Sequence, residues 1–316
     1  MRDDDSSLDD SRRERIRKEA LKMLIKTSAL GRFPTPVEDV LSVAKLEVVP
    51  EDLADLPFMD RIRGKAMGSL KRALSKVLGI FDVKAGLVFI DHKVKIVKQT
   101  FLKFHEVAHS FLPWQRDAYS VIEDCASTLE PKTADLFDRE ANLFATEVMF
   151  QLDAFIQETA DSPFGIKVPL DLAGKYGASA YAAIRQYVAK NHRACAVVVL
   201  NPAESNTEFG FHVTARRVVV SSTWTEIVGV IQWPEVLSPS HPFWSLIPMG
   251  NKRMSLPRSI GIQNQDGVRF DCVAEAFKTP FNTFILIQAV DTLRTTIVVP
   301  GLRLSKKFPP QPVQSR

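Results

Sequence analysis

The chain has 316 residues, 45% of them hydrophobic and 25% charged, with a formal net charge of +4. These are the proportions of an ordinary soluble globular protein of two or three units, and so small an excess of positive charge gives little support to nucleic-acid binding. No run approaches the roughly 18 consecutive apolar residues of a membrane helix, and the polar, acidic opening from Met1 to Ser7 does not read as a signal peptide. The three cysteines (Cys125, Cys195 and Cys272) include no C-x-x-C pair, which points to a reducing, cytoplasmic compartment rather than a disulfide framework.

Residues 1–11 read as a polar, disordered tail. From Arg12 onward, Ile16, Ala20, Leu21, Met23 and Leu24 recur near helical spacing. A second helix has a start signal in Thr35-Pro36-Val37-Glu38, with Thr35 as cap and Pro36 in the first turn. The basic stretch from Arg61 to Lys76 lacks interleaved aromatics and reads as a solvated face. Gly86-Leu87-Val88-Phe89-Ile90-Asp91 reads as a short buried strand, and a helix follows over about 96–112.

That helix contains His105-Glu106-Val107-Ala108-His109, an H-E-x-x-H pattern. Positions i and i+4 share one helix face, so both imidazoles can meet one ion, with Glu106 beside them to take a proton from a bound water. The strand over 86–91 could then present an edge that pairs with an extended peptide. A catalytic zinc needs a third protein ligand. The positions three and six residues after His109 are Leu112 and Gln115, which excludes the metzincin arrangement. A following helix, Phe137 to Met149, carries an apolar stripe of Phe137, Ala141, Phe144, Ala145 and Val148 bordered by Glu140. A carboxylate beside a buried stripe needs a counter-charge, which a metal would supply. Glu140 is the candidate third ligand and Glu147, one heptad later, its rival. Asp124 or Asp138 could orient a ligand imidazole. Tyr119, Tyr176 and His192 are candidate donors to a developing oxyanion. His92, His212 and His241 show no metal spacing.

The succession F-x-x-x-H-E-x-A-H-S-F-L-P and then R-E-A-N-x-F-A-T-E resembles the ImmA/IrrE family of bacterial zinc peptidases. The two N-terminal helices, the strand ending Phe89-Ile90-Asp91 and the segment from Leu172 to Ser179 are similar to that family's pattern, so the resemblance spans about residues 12–195. It implies one zinc ion per chain held by His105, His109 and Glu140, with Glu106 as catalytic base. It also implies cleavage of a helix-turn-helix transcriptional repressor that releases stress or mobile-element genes. Val148-Met149-Phe150 stands where the family often has Leu-Met-Pro.

Residues 168–192 outline a helix-turn-helix, with Arg185, Gln186 and Lys190 as its few polar candidates; a structural helical pair is the better reading, and direct DNA contact is not expected. Beyond Arg193 the texture is β-rich. Strands are expected at 196–200, 209–213, 218–220, 227–231, 268–273, 284–287 and 296–299, with a loop from Pro234 to Pro257. The expected fold is therefore α+β. A mainly helical, zincin-like peptidase domain with a small sheet covers 12–165 and a helical pair 166–193. A β-rich C-terminal domain of possible regulatory use covers 194–305, and a flexible tail 306–316.

Overall fold

The computed structural model describes residues 7–48, 79–82, 86–90, 95–125, 129–160, 162–207 and 210–290. The basic stretch 61–76, His92, the strand expected at 296–299 and the C-terminal tail lie outside these residues, as do the side chains of Asp124 and Cys125. The architecture is α+β. Its helices are α1 (Asp10–Lys26), α2 (Val37–Ala44), α3 (Ile96–Phe111), α4 (Pro113–Cys125), α5 (Pro131–Met149), α6 (Ala154–Thr159), α7 (Lys167–Ala173) and α8 (Ala180–Ala189). Three short strands, β1 (Glu47–Val48), β2 (Gly79–Asp82) and β3 (Leu87–Ile90), form a small sheet in the order β1-β3-β2.

Two local expectations change. Helix α1 begins at Asp10 because the Asp9 carboxylate accepts from the Arg12 backbone N–H, and Leu8, just ahead of this cap, is buried. Residues 8–11 thus belong to the packed structure and not to a tail. Thr35 does not cap α2: its hydroxyl donates to the Val148 carbonyl at 3.0 Å and accepts from Gln151, which ties this turn to the end of α5.

The small sheet also corrects the expected docking edge. β3 pairs with β1 on one side, in parallel, and with β2 on the other, antiparallel. Its Leu87 and Val88 are paired on both sides, so among the described residues the outer edges of this sheet are those of β1 and β2.

The second sheet follows α8. Its strands are β4 (Cys195–Leu200), β5 (Glu204–Asn206), β6 (Gly210–Val220), β7 (Val236–Leu237), β8 (Arg258–Gln263), β9 (Arg269–Lys278) and β10 (Thr283–Ala289). They pair antiparallel in the order β5-β6-β4-β10-β9-β8, with β7 beside β6. The two expected strands at 209–213 and 218–220 are one strand, β6, continuous through the polar Arg216-Arg217 pair. The strand expected at 227–231 is not formed. Ser221 caps a helix, α9 (Ser222–Ile227), and Gly229 then turns the chain at φ +80°, a conformation open to glycine. The loop expected from Pro234 to Pro257 contains β7 and a 3₁₀ turn, Pro242–Leu246, that buries Phe243 and Leu246.

Strand β4 is buried at every position, which is why its sequence shows no alternation. Cys195, Val197 and Val199, with Phe284 and Leu286 opposite on β10, face the helical layer. Ala196, Val198 and Leu200, with Ile285 and Ile287, face a second core that includes Trp224, Phe243 and Ala274. Helix α8 lies against the first face through Ala183, Ile184, Tyr187 and Val188, so the helical pair is wedged between helices and sheet. Gln186 is buried with it and Arg185 lies over the Tyr181 ring. One apolar core thus runs from α1 to β10, across the boundaries drawn at 165 and 193. Leu286→Ala should therefore destabilise the helical and sheet regions together, lowering a single unfolding transition by about 2–5 kcal/mol in denaturant melts. Separate melting of the two regions would contradict this.

Candidate metal centre

Helix α3 ends where Pro113 starts α4, since proline supplies no backbone N–H and disfavours helix in the residue before it. Ala108 on α3 and Ala141 and Ala145 on α5 are fully buried, which leaves room for two helices to approach closely. In that contact His105, Glu106 and His109 are all buried. The two Nε2 atoms face each other at 3.2 Å. Asp138, from α5, places Oδ1 at 4.0 Å from His105 Nε2 and 3.9 Å from His109 Nε2. These three form the potential ligand cluster among the described residues.

The dimensions suit zinc. Two nitrogens bound at about 2.0–2.1 Å with a tetrahedral angle lie about 3.3–3.4 Å apart. A triangle of the three observed separations has its circumcentre about 2.2 Å from each atom, at the upper end of zinc–oxygen bonding and about 0.1 Å beyond zinc–nitrogen bonding, a gap closed by a slight inward shift of Asp138. The Asp138 side chain stays 36% exposed, so the cluster is open on one side.

The groups behind the imidazoles settle which nitrogen is available. Gln115 Nε2 donates to Glu140 Oε2 at 2.8 Å and to the Phe137 carbonyl at 3.2 Å. Both are acceptors, so the Gln115 oxygen must face His109 Nδ1, 2.7 Å away, and that nitrogen carries the proton. Asn142 presents its amide oxygen to His105 Nδ1 at 3.1 Å, and in this orientation of the amide that nitrogen carries the proton too. Both Nε2 lone pairs then point into one space. A proton is a poor occupant there: burial first, then the neighbouring His109, push His105 down to about 3, and burial pushes His109 down to about 4. Glu106 is pushed up to about 8 by burial and by the adjacent Asp138, and Asp138 up to about 6 by burial and Asp135. Two nitrogen lone pairs and two carboxyl groups in a poorly solvated space are a cation's environment.

The expected site residues divide clearly. His105 and His109 come together, with Asp138 as the carboxylate of the cluster rather than a group behind an imidazole. Glu106 is buried on the same helix, where burial and then the nearby Asp138 raise its pKa. Glu140 lies outside the cluster. It is buried, and its carboxylate accepts from Arg12 at 3.0 Å, Trp114 Nε1 at 2.7 Å and Gln115. The counter-charge that the sequence argument assigned to a metal comes instead from an arginine. Glu147 is likewise held by Lys190 at 2.7 Å and Arg17 at 3.3 Å.

Of the three donor candidates, Tyr119 is at the site, its ring edge-on to His109 at 5.5 Å and its phenol held in the protonated form by burial, Asp138 and Glu106. Tyr176 is committed to Glu158 at 3.0 Å and packs among Phe33, Phe150 and Phe155. His192 accepts from the Thr223 hydroxyl through its carbonyl at 2.9 Å, just after the helical pair, and is not part of the cluster. His212 sits beside Glu204, and His241 caps the 3₁₀ turn. Sequence reasoning missed Gln115 and Asn142. The i, i+4 spacing of Asp138 and Asn142, which puts both on the face toward α3, was the available signal.

No protein-family model matches this chain, and no curated protein matches it significantly. Among solved structures, a Mycobacterium tuberculosis transcriptional regulator is similar over 92% of this chain and 81% of its own, at 14% identity and a TM-score of 0.49. Likeness at this level assigns no function.

The purified protein should take up about one zinc per chain. Asp138→Asn or His109→Ala should weaken binding by more than the roughly 10–100-fold that losing a partner behind a ligand costs. Competition with a chromogenic chelator measures this, and unchanged affinity in Asp138→Asn would remove it from the ligand set.

Proposed function

We propose that this chain is a zinc-dependent metallopeptidase of the ImmA/IrrE kind, with a zincin-like helical region. His105, His109 and Asp138 would hold one zinc ion, and Glu106 would act as base. The observation that carries this reading is the pair of Nε2 atoms 3.2 Å apart on a helix that also buries Glu106. Zinc bound there would make its water acidic enough to supply hydroxide near neutral pH and would polarise the scissile carbonyl.

The chain's own groups do the rest. Glu106 adjoins His105 in the sequence, so the helix that delivers a ligand also delivers the base. As carboxylate it takes the proton from the attacking water, and as acid it returns that proton to the leaving nitrogen. Tyr119 stays protonated and offers a neutral O–H to the developing oxyanion. An outer edge of the small sheet, which packs on α3, can add an extended peptide as a further strand. The exposed side of Asp138 gives that peptide its approach.

The substrate follows from the family resemblance: a helix-turn-helix transcriptional repressor, cut in the cytoplasm to release stress or mobile-element genes. No helix among the described residues is long and apolar enough to cross a membrane. The rival reading is a DNA-binding or regulatory protein with a structural metal. It would use the helical pair for DNA contact, but the second helix of that pair is packed on the sheet with Gln186 buried.

Glu106→Gln should keep its zinc and lose about 10²–10⁴-fold in peptide hydrolysis. Tyr119→Phe should lose about 10²–10³-fold in kcat with little change in KM. Both are read by cleavage assays on a candidate repressor. Full function in Glu106→Gln, together with duplex binding that falls steeply with salt, would establish the rival.

A further inference from the structure

Glu140 is joined to the metal centre without belonging to it. Arg12, in the first turn of α1, donates to Glu140 Oε1 at 3.0 Å. Glu140 Oε2 accepts from Trp114 at 2.7 Å and from Gln115 at 2.8 Å. Gln115, with no exposed surface, accepts from His109 Nδ1 at 2.7 Å. This is a continuous path of hydrogen bonds from an N-terminal arginine, 128 residues from Glu140 in the chain, to an imidazole of the cluster.

We propose that Gln115 is a positioning residue that couples zinc capture by His109 to the docking of α1, through Glu140 and Arg12. This rests on the reading of His105, His109 and Asp138 as a metal centre. Each link has a chemical direction. Arg12 fixes the charged carboxylate in a buried place where it would otherwise be costly. The carboxylate holds the Gln115 amide by a charge-assisted bond and polarises it, so that its oxygen becomes a stronger acceptor. That oxygen fixes the His109 ring and tautomer and raises the electron density at Nε2, the atom that binds metal. His105 rests on Asn142 at a longer 3.1 Å, so His109 is the more firmly oriented of the two.

Gln115 occupies the position six residues after His109, where a metzincin would carry its third histidine. It sits just past the break at Pro113, so its side chain returns toward α3 from α4 and acts on the metal one bond removed.

The test uses the full-length protein, with two readouts. Nitrogen-15 NMR of the metal-free protein reports the His109 tautomer, and chelator competition reports zinc affinity, for wild type, Gln115→Leu, Glu140→Gln, their double variant and Arg12→Gln. His109 should carry its proton on Nδ1 in wild type and lose that preference in Gln115→Leu. Zinc affinity should fall about 10–100-fold in Gln115→Leu and less in Glu140→Gln and Arg12→Gln. The double variant should match Gln115→Leu alone, because the carboxylate acts only through the amide. Arg12 is 45% exposed at its side chain, so its variant carries the test even where Gln115→Leu fails to fold. Multiplying losses in the double variant, or an Nε2–H tautomer of His109 in wild type, would overturn the coupling. So would loss of zinc in Glu140→Gln with zinc retained in Asp138→Asn, since that makes Glu140 a ligand. If wild type binds no zinc, the metal reading fails while the tautomer result still decides the relay.

Discussion

The imidazoles of His105 and His109 face each other with their Nδ1 atoms against the amide oxygens of Asn142 and Gln115, leaving two Nε2 atoms 3.2 Å apart in a buried space that opens beside Asp138. Like dipoles held this close repel, and burial weighs against relieving the repulsion by protonation. A cation between the nitrogens resolves it, and Asp138 stands on the third side with the negative charge that a cation needs. The rest of the helical half can be understood as the means of holding this arrangement: α3 supplies the i, i+4 pair, α5 supplies Asp138 and Asn142, and α4 returns Gln115 to the back of His109.

Helix α1 keeps those three in register. It meets α5 through buried apolar residues such as Ile16, Met23 and Leu24, and through two carboxylates one heptad apart. Glu140 takes Arg12, while Glu147 takes Arg17 and Lys190. A buried carboxylate stripped of its partner leaves an uncompensated charge, typically a loss of about 3–5 kcal/mol. The α1–α5 contact is therefore selective as well as adhesive: a slip of one residue would part both pairs. Lys190 follows α8, so the same network reaches toward the sheet, whose β4 and β10 extend the apolar core on that side.

Much of this was legible beforehand, and the failures share a cause. The H-E-x-x-H helix, the helix bearing Glu140 and most of the C-terminal strands follow from period and spacing, which are local properties. The third carboxylate was not. A buried glutamate announces that it needs a positive partner, but not whether that partner is a metal or an arginine 128 residues away. Asp138, two residues earlier and with its side chain 36% exposed, reads in the sequence only as a group that orients an imidazole. The strand expected at 227–231 failed because its valines and isoleucines are equally at home around a short capped helix and a glycine turn. β6 was split in two because Arg216-Arg217 interrupts its apolar run, although the strand continues past it with a shift of register at Arg216. Gln115 and Asn142 were overlooked because an uncharged amide has no strong sequence signature, though here two amides decide which nitrogen can bind a metal.

The most direct test of the account is the X-ray absorption spectrum of the protein saturated with zinc at neutral pH. The proposal predicts saturation at one zinc per chain, with two imidazole nitrogens and oxygen at about 2.0–2.2 Å in the coordination sphere. Failure to saturate, or a zinc surrounded by oxygen without imidazole, would contradict it.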